Sequence, residues 1–164
     1  MTLNVLPLDL ARWDEAARDC LVLPVFKDDR PLRGAAGLAD WRLCGRLSRL
    51  IKSTKATADA GETLLLPPGR RLRFQRVLWF GLGDAKGYTE ERFRRDIKWI
   101  LGVVTKAAAN DWSLQLPGRA SGLIGARRAV EIILDDDVLC DQPMTLLEDP
   151  AGQKDIAELL RSQR

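Results

Sequence analysis

Apolar positions recur along this chain with two different periods. Short runs that are apolar almost throughout alternate with longer stretches in which apolar residues return every three or four positions. Thr2 to Leu8 is short and apolar and predicts a first strand. Cys20 to Phe26 is nearly all apolar, the pattern of a strand covered on both faces. Glu62 to Leu66 and Arg73 to Phe80 predict two strands joined through Pro67-Pro68-Gly69-Arg70-Arg71, where Pro-Gly marks a turn. Trp112 to Leu116, closed by Pro117-Gly118, and Met144 to Leu147 predict two more.

The helical period appears in four places. Leu38 to about Ser53 reads as one helix, with Leu43, Leu47, Leu50 and Ile51 on its apolar side, Cys44 beside them, and Arg42, Arg46 and Arg49 together on a solvated face. Glu90 to Ala109 is the clearest. Phe93, Ile97, Ile100, Leu101, Val104 and Ala108 form one face, Thr89 is a candidate cap, and Glu90 and Glu91 suit the positive end of the helix dipole. Ser121 is a candidate cap for a helix to about Leu134, with Leu123, Ala126, Val130, Ile133 and Leu134 turned inward. Gln153 to Leu160 predicts a terminal helix. Strands alternating with helices predict an α/β layered fold, and the lack of repeats, low-complexity tracts or linkers predicts one domain spanning residues 1–164.

With 46% hydrophobic and 30% charged residues, the 164-residue chain has the composition of a globular protein. A net charge of +3 tolerates an acidic partner without requiring one. Cys20, Cys44 and Cys140 are odd in number and form no Cys-x-x-Cys pair, which argues against a disulfide framework or a zinc site. Cys20 and Cys44 lie in apolar stretches and are expected to be buried. No signal peptide is visible at Met1-Thr2-Leu3, and no stretch approaches the ~20 apolar residues that span a bilayer, so a cytoplasmic protein without a membrane partner is expected.

The chemistry is sparse. There is no histidine, which removes His-based nucleophile systems, ligands and acid–base catalysis, and there is no Gly-x-Ser-x-Gly elbow or Walker-type phosphate loop. No cofactor is implied. Gly81, Gly83 and Gly87, in Gly81-Leu82-Gly83-Asp84-Ala85-Lys86-Gly87, form the best candidate ligand turn, because glycines between a strand and a helix let N–H groups approach a phosphate. Their spacing is Gly-x-Gly-x-x-x-Gly, and Glu90 and Glu91 follow closely, so the favoured reading is a structural turn with a positive φ at one or more glycines. Asp135, Asp136 and Asp137 read as a solvated helix end rather than a cation site. Arg70 and Arg71 form a candidate anion patch, to which Arg73, Arg76, Arg42, Arg46 and Arg49 add charge.

Three segments carry a resemblance. Asp19-Cys20-Leu21-Val22-Leu23-Pro24-Val25-Phe26, Gly61-Glu62-Thr63-Leu64-Leu65-Leu66-Pro67 and Arg76-Val77-Leu78-Trp79-Phe80-Gly81-Leu82-Gly83, in that succession, resemble the N-terminal domain of the leucyl aminopeptidase (cytosol aminopeptidase) family. The resemblance implies a macro-domain-like three-layer α/β fold, a mixed sheet flanked by helices. It also implies that peptide cleavage belongs to a separate C-terminal domain with two metal ions, whose Asn-Thr-Asp-Ala-Glu-Gly-Arg signature is absent from these residues. No catalytic residue carries over, and no enzyme activity is expected. The expected role is a noncatalytic interaction or regulatory module whose partner is a protein, either a second copy or an aminopeptidase, with Trp99, Val103 and Ile132 offered as contacts. A nucleotide- or ADP-ribose-type ligand is one alternative. DNA or RNA on the arginines is another, since some relatives in that family bind DNA, although no nucleic-acid motif is present.

Overall fold

The computed structural model describes residues 3–16, 19–137 and 143–164; Cys140 lies outside them. The elements run β1 (Leu3–Pro7), α1 (Leu10–Glu15), β2 (Cys20–Val25), α2 (Gly34–Arg42), α3 (Arg46–Lys52), β3 (Thr63–Leu66), β4 (Arg76–Gly81), α4 (Glu90–Lys106), β5 (Trp112–Leu114), α5 (Ala126–Asp135), β6 (Met144–Glu148) and α6 (Pro150–Ser162). Six strands pair in the order β1-β6-β5-β2-β4-β3, all parallel except β3, which runs antiparallel to β4 at the edge. This is the mixed sheet expected. No helix among the described residues is long and apolar enough to cross a membrane.

Strand alternation sorts the core into two layers. Cys20 and Val22 of β2, Leu78 and Phe80 of β4 and Leu114 of β5 turn to one side, where α4, α5 and α6 bury Phe93, Ile97, Ile100, Val130, Ile133 and Ile156 against them. Leu21, Leu23 and Val25, with Val77 and Trp79, turn to the other side and meet Trp13 of α1, Ala39 of α2 and Leu47 of α3. β2 is therefore sealed on both faces, as its continuous apolar run requires. Its cysteine is sealed too, and burial pushes the Cys20 thiol up to about 12.

The N-terminal edge of the sheet is tied by one aspartate. Asp19 accepts Nε and Nη2 of Arg76 at 3.1 and 2.6 Å, and its backbone carbonyl accepts the N–H groups of Gln75 and Arg76. Arg76 reaches on to the Ala107 carbonyl at 2.8 Å, so the starts of β2 and β4 and the end of α4 share one clamp. The bond from Arg76 holds the Asp19 carboxyl below its ordinary value against the opposing effect of burial.

Several segments depart from the periodic reading. The helix expected from Leu38 to Ser53 is two helices, broken where Cys44 and Gly45 take left-handed conformations (φ 56° and 78°). Asp40 stabilises the break by accepting the Ser48 N–H at 3.1 Å and the Ser48 hydroxyl, capping α3 from the end of α2. The break turns Cys44 outward, so it is exposed and not the buried apolar residue expected. The arginines are not a free stripe either: Arg42 forms an ion pair with Asp14 at 3.0 Å, and Arg46 and Arg49 donate to backbone carbonyls. Strand β4 starts at Arg76, not Arg73, because Asp19 captures the N–H groups of residues 75 and 76 there.

The remaining departures concern helix ends. Helix α4 closes on Ala108 at φ 51°, which is exposed rather than on the apolar face. Helix α5 starts at Ala126 rather than Ser121, which leaves Leu123 on the surface. Ile132, offered as a contact residue, is core; Trp99 and Val103 are half-buried, with Trp99 edge-on to Phe80 at 5.1 Å.

Two outcomes test this packing. Leu47→Ala is expected to cost about 2–5 kcal/mol in urea unfolding at unchanged m-value, since Leu47 is fully buried under the sheet. Asp19→Asn is expected to destabilise at neutral pH. The folded carboxyl titrates below 3.8, so the clamp's contribution is present above that value and lost as pH falls through the lower folded pKa. The stability difference between variant and wild type should therefore shrink in acid.

Candidate functional site

In open α/β sheets, ligands favour the crevice beyond the carboxyl ends of two strands whose crossovers leave to opposite faces. Here those strands are β2 and β5. The chain leaves β2 for α2 on one face and leaves β5 for α5 on the other. Pro24 helps to open the crevice. The Val25 carbonyl points to β4, where it accepts the Leu82 N–H at 2.9 Å, so Pro24 faces the β5 side. Proline has no N–H to pair there, and the β2–β5 ladder ends at Val22–Leu114.

The crevice is then closed by the chain's own side chains. Gln115, just past β5, is buried and accepts the Ala35 N–H at 2.7 Å through Oε1. Ala35 is the second residue of α2, so this carboxamide takes one of the unpaired N–H groups at that helix start, the kind of group an anion binds. Gly34 sits against it at φ 56°, and a β-carbon there would overlap the Gln115 carboxamide oxygen. Farther out, the Ser121 hydroxyl donates to Asp29 Oδ1 at 3.1 Å, and Asp29 Oδ2 accepts the Phe26 N–H. The space left between Leu23, Phe26, Ala36, Gln115 and Leu116 is about 20 Å³.

A buried ion pair holds the β5 side of this closure. Arg119 makes two parallel bonds to the Glu148 carboxylate, at 2.9 and 2.8 Å, and a third to the Ile124 carbonyl. The Glu148 bonds raise the pKa of Arg119 against burial. Glu148 is itself seated on Gly152 of α6, where any β-carbon would strike the carboxylate stem. Removing one partner would leave the other charged and buried, which is the costly outcome for such pairs.

The candidate glycine turn lies elsewhere, at the end of β4. The Gly81 N–H donates to the Glu62 carbonyl at 2.7 Å and the Gly83 N–H to the Ala58 carbonyl at 2.9 Å. A β-carbon at Gly81 would meet the backbone of Ala58 and Asp59. Gly83 and Gly87 both have positive φ. Arg92 closes the loop from α4, donating to the carbonyls of Leu82, Asp84 and Lys86 while stacking 4.8 Å over Tyr88. The N–H groups of Gly81 and Gly83 are thus committed to neighbouring backbone, and these two glycines record close approach of chain to chain, whereas Gly87 has open space around it and serves a left-handed turn.

The arginines do converge. Arg70 and Arg71, after β3, face Arg46 and Arg49 of α3 across a groove of about 610 Å³ that Cys44 and Pro67 also line. Arg73 and Arg76 are not among its lining residues, and Arg76 belongs to the Asp19 clamp. The break that ends α2 at Leu43 swings Cys44 into this groove, 3.0 Å from Arg71 Nη1. Of the three aspartates, Asp136 is paired with Arg94 at 2.9 Å. Among the described residues no group of three or more Cys, Asp or Glu side chains could hold a metal ion.

A sheet with this strand order, helices on both faces and a crevice between β2 and β5 is the macrodomain class of α/β fold. The Trypanosoma brucei macrodomain solved in complex with ADP superposes with a TM-score of 0.70 at 14% identity, covering 97% of this chain and 69% of that one. A tomato leucine aminopeptidase variant superposes with a TM-score of 0.62 at 13% identity, covering 98% of this chain and 35% of that one. In sequence, residues 22–135 match the family model of the cytosol aminopeptidase family, N-terminal domain, and the chain belongs to that family. A probable cytosol aminopeptidase of Halorhodospira halophila is 31% identical over 98 residues, 60% of this chain and 19% of the relative. The chain thus spans about a fifth of the length of the curated relatives it matches, and the matching part is their N-terminal domain.

Gly34→Ala is expected to destabilise the protein by about 1–3 kcal/mol, through both the left-handed backbone and the collision with Gln115. In the double variant Gly34→Ala/Gln115→Ala the collision with Gln115 disappears while Ala120 Cβ, 2.9 Å from the added carbon, still crowds it, so the two changes are expected to be non-additive in urea unfolding with part of the cost remaining.

Proposed function

We propose that this chain is a noncatalytic, cytoplasmic protein-interaction module built on the N-terminal domain of the cytosol aminopeptidase family, with its contact surface at the corner between α2 and α3. The observation that carries this reading is the filled crevice. The place where the fold offers a small molecule both space and free helix N–H groups is occupied by Gln115 and tied shut by Ser121 and Asp29. The corner, by contrast, presents a large aromatic to solvent. Trp41 is 74% exposed on the last turn of α2, and its carbonyl accepts the Cys44 N–H at the break. Tryptophan is enriched at protein interfaces because one side chain supplies a large contact area. The partner is a protein, a second copy of this chain or an aminopeptidase of the family.

The rival is a small-ligand site in this crevice, for a nucleotide-type ligand such as the ADP found in complex with the Trypanosoma brucei macrodomain. It requires the crevice to open, breaking the Gln115–Ala35 and Ser121–Asp29 bonds. Hydrogen exchange separates the two. ADP-ribose is expected to leave exchange in residues 29–36 and 115–121 unchanged, and saturable protection of those segments would overturn the proposal. Leucine amide is expected to survive incubation with the chain and added manganese or zinc. Metal-dependent turnover that tracks the chain through purification would also sink it.

A further inference from the structure

The arginine groove carries an inference that goes beyond the interaction reading and does not depend on it. We propose that the groove between α3 and the segment after β3 is a binding site for a compact phosphate-bearing polyanion. Four guanidinium groups, from Arg46, Arg49, Arg70 and Arg71, line one concavity of about 610 Å³, and no carboxylate lines it with them. Five arginines outside the groove sit on a carboxylate: Arg42 on Asp14, Arg76 on Asp19, Arg94 on Asp136, Arg119 on Glu148 and Arg128 on Glu90. The four groove arginines have no carboxylate partner among the described residues, and they share one space. Arginine stays charged at any physiological pH, so four of them facing one space repel one another unless an anion joins them.

The groove is also built rather than accidental. Arg46 Nη1 is fixed on the Pro67 carbonyl at 2.7 Å, Arg49 Nη1 on the Cys44 carbonyl at 2.6 Å and Arg71 Nη1 on the Cys44 sulfur at 3.0 Å. Each anchor uses one nitrogen and leaves the rest of the planar fork, the part that matches phosphate oxygens, without a partner among the described residues. Arg70 makes no bond within the described fold and can close over a ligand. The left-handed backbone at Cys44 and Gly45, with the Asp40 cap behind it, holds two of these anchors in place.

The shape selects a compact anion over a nucleic-acid strand. Duplex DNA spreads one charge per ~1.7 Å of its axis and is met by an extended basic track. Here four guanidinium groups are gathered around one concavity.

The test uses the full 164-residue chain and inorganic pyrophosphate as the probe, by isothermal titration calorimetry at low ionic strength. One saturable site per chain is expected, weakening as salt is raised. Arg70→Gln removes a guanidinium with no role in the fold, so its unfolding temperature is expected to match wild type while affinity drops about tenfold or more. Lys154→Gln, an exposed change on α6, is expected to bind as wild type does. Because Cys44 lines the groove, pyrophosphate is also expected to slow its alkylation by iodoacetamide, read peptide by peptide by mass spectrometry, with the same half-saturation. The proposal is overturned by any of four results: no saturable binding, equal affinity of Arg70→Gln and wild type, unprotected Cys44 at saturation, or single-stranded DNA without terminal phosphates binding more tightly than pyrophosphate. A folded Arg70→Gln with lost binding and a protected Cys44 in wild type would establish the site, whatever protein the module binds.

Discussion

Strand β2 is the constraint on which the rest is built. It has a parallel neighbour on each edge and a helical layer on each face, so every side chain it carries must be apolar and every helix must be placed to cover it. Its one irregularity, Pro24, has no N–H to offer the β5 side. The sheet parts at that point, and the crevice follows from it. The Asp19–Arg76 clamp at the opposite end holds β2, β4 and the end of α4 together, so that the sheet parts only at the carboxyl edge.

The chain's own side chains fill that crevice. A helix start in such a crevice normally presents N–H groups to whatever occupies it. Here a neutral carboxamide from the neighbouring strand end takes that place, and a buried bidentate ion pair keeps the strand end from moving away. A group of arginines without carboxylate partners lies instead at the α2–α3 corner, outside this crevice, where a helix break rather than a sheet edge shapes the surface.

The parts legible in the sequence are those governed by period. β2, β4 and α4 declared themselves because their burial is continuous or strictly helical, and Thr89 caps α4 as its position suggests, accepting the Arg92 N–H. The break at Cys44–Gly45 was hidden because Leu43 and Leu47 keep helical spacing across it, and only the lone Gly45 hinted at it. Ser121 had the residue type of a cap but found Asp29, a partner 92 positions away, and no local signal marks such a choice. Gln115 and the Arg119–Glu148 pair were invisible for the same reason: each matters through a residue distant in sequence. The glycines at 81, 83 and 87 were visible, but their use could be read only once their N–H groups had been traced. Arg70 and Arg71 were visible as charge. That Arg46 and Arg49 join them depends on the turn of the chain at Cys44.

The contact between Gly34 and Gln115 bears on how this surface could change over generations. With glutamine at 115, position 34 tolerates no side chain, and with the glutamine trimmed the contact with Ala120 Cβ and the left-handed backbone at 34 remain. The two sites are therefore epistatic in a definite order. A lineage that reopened this crevice would have to shorten residue 115, exposing the Ala35 N–H, and position 34 would still be held to glycine by Ala120 and its left-handed backbone. A lineage that closed it would have needed glycine at 34 already in place, so the permissive residue is the small one and the decisive one is the glutamine 81 positions later in the chain.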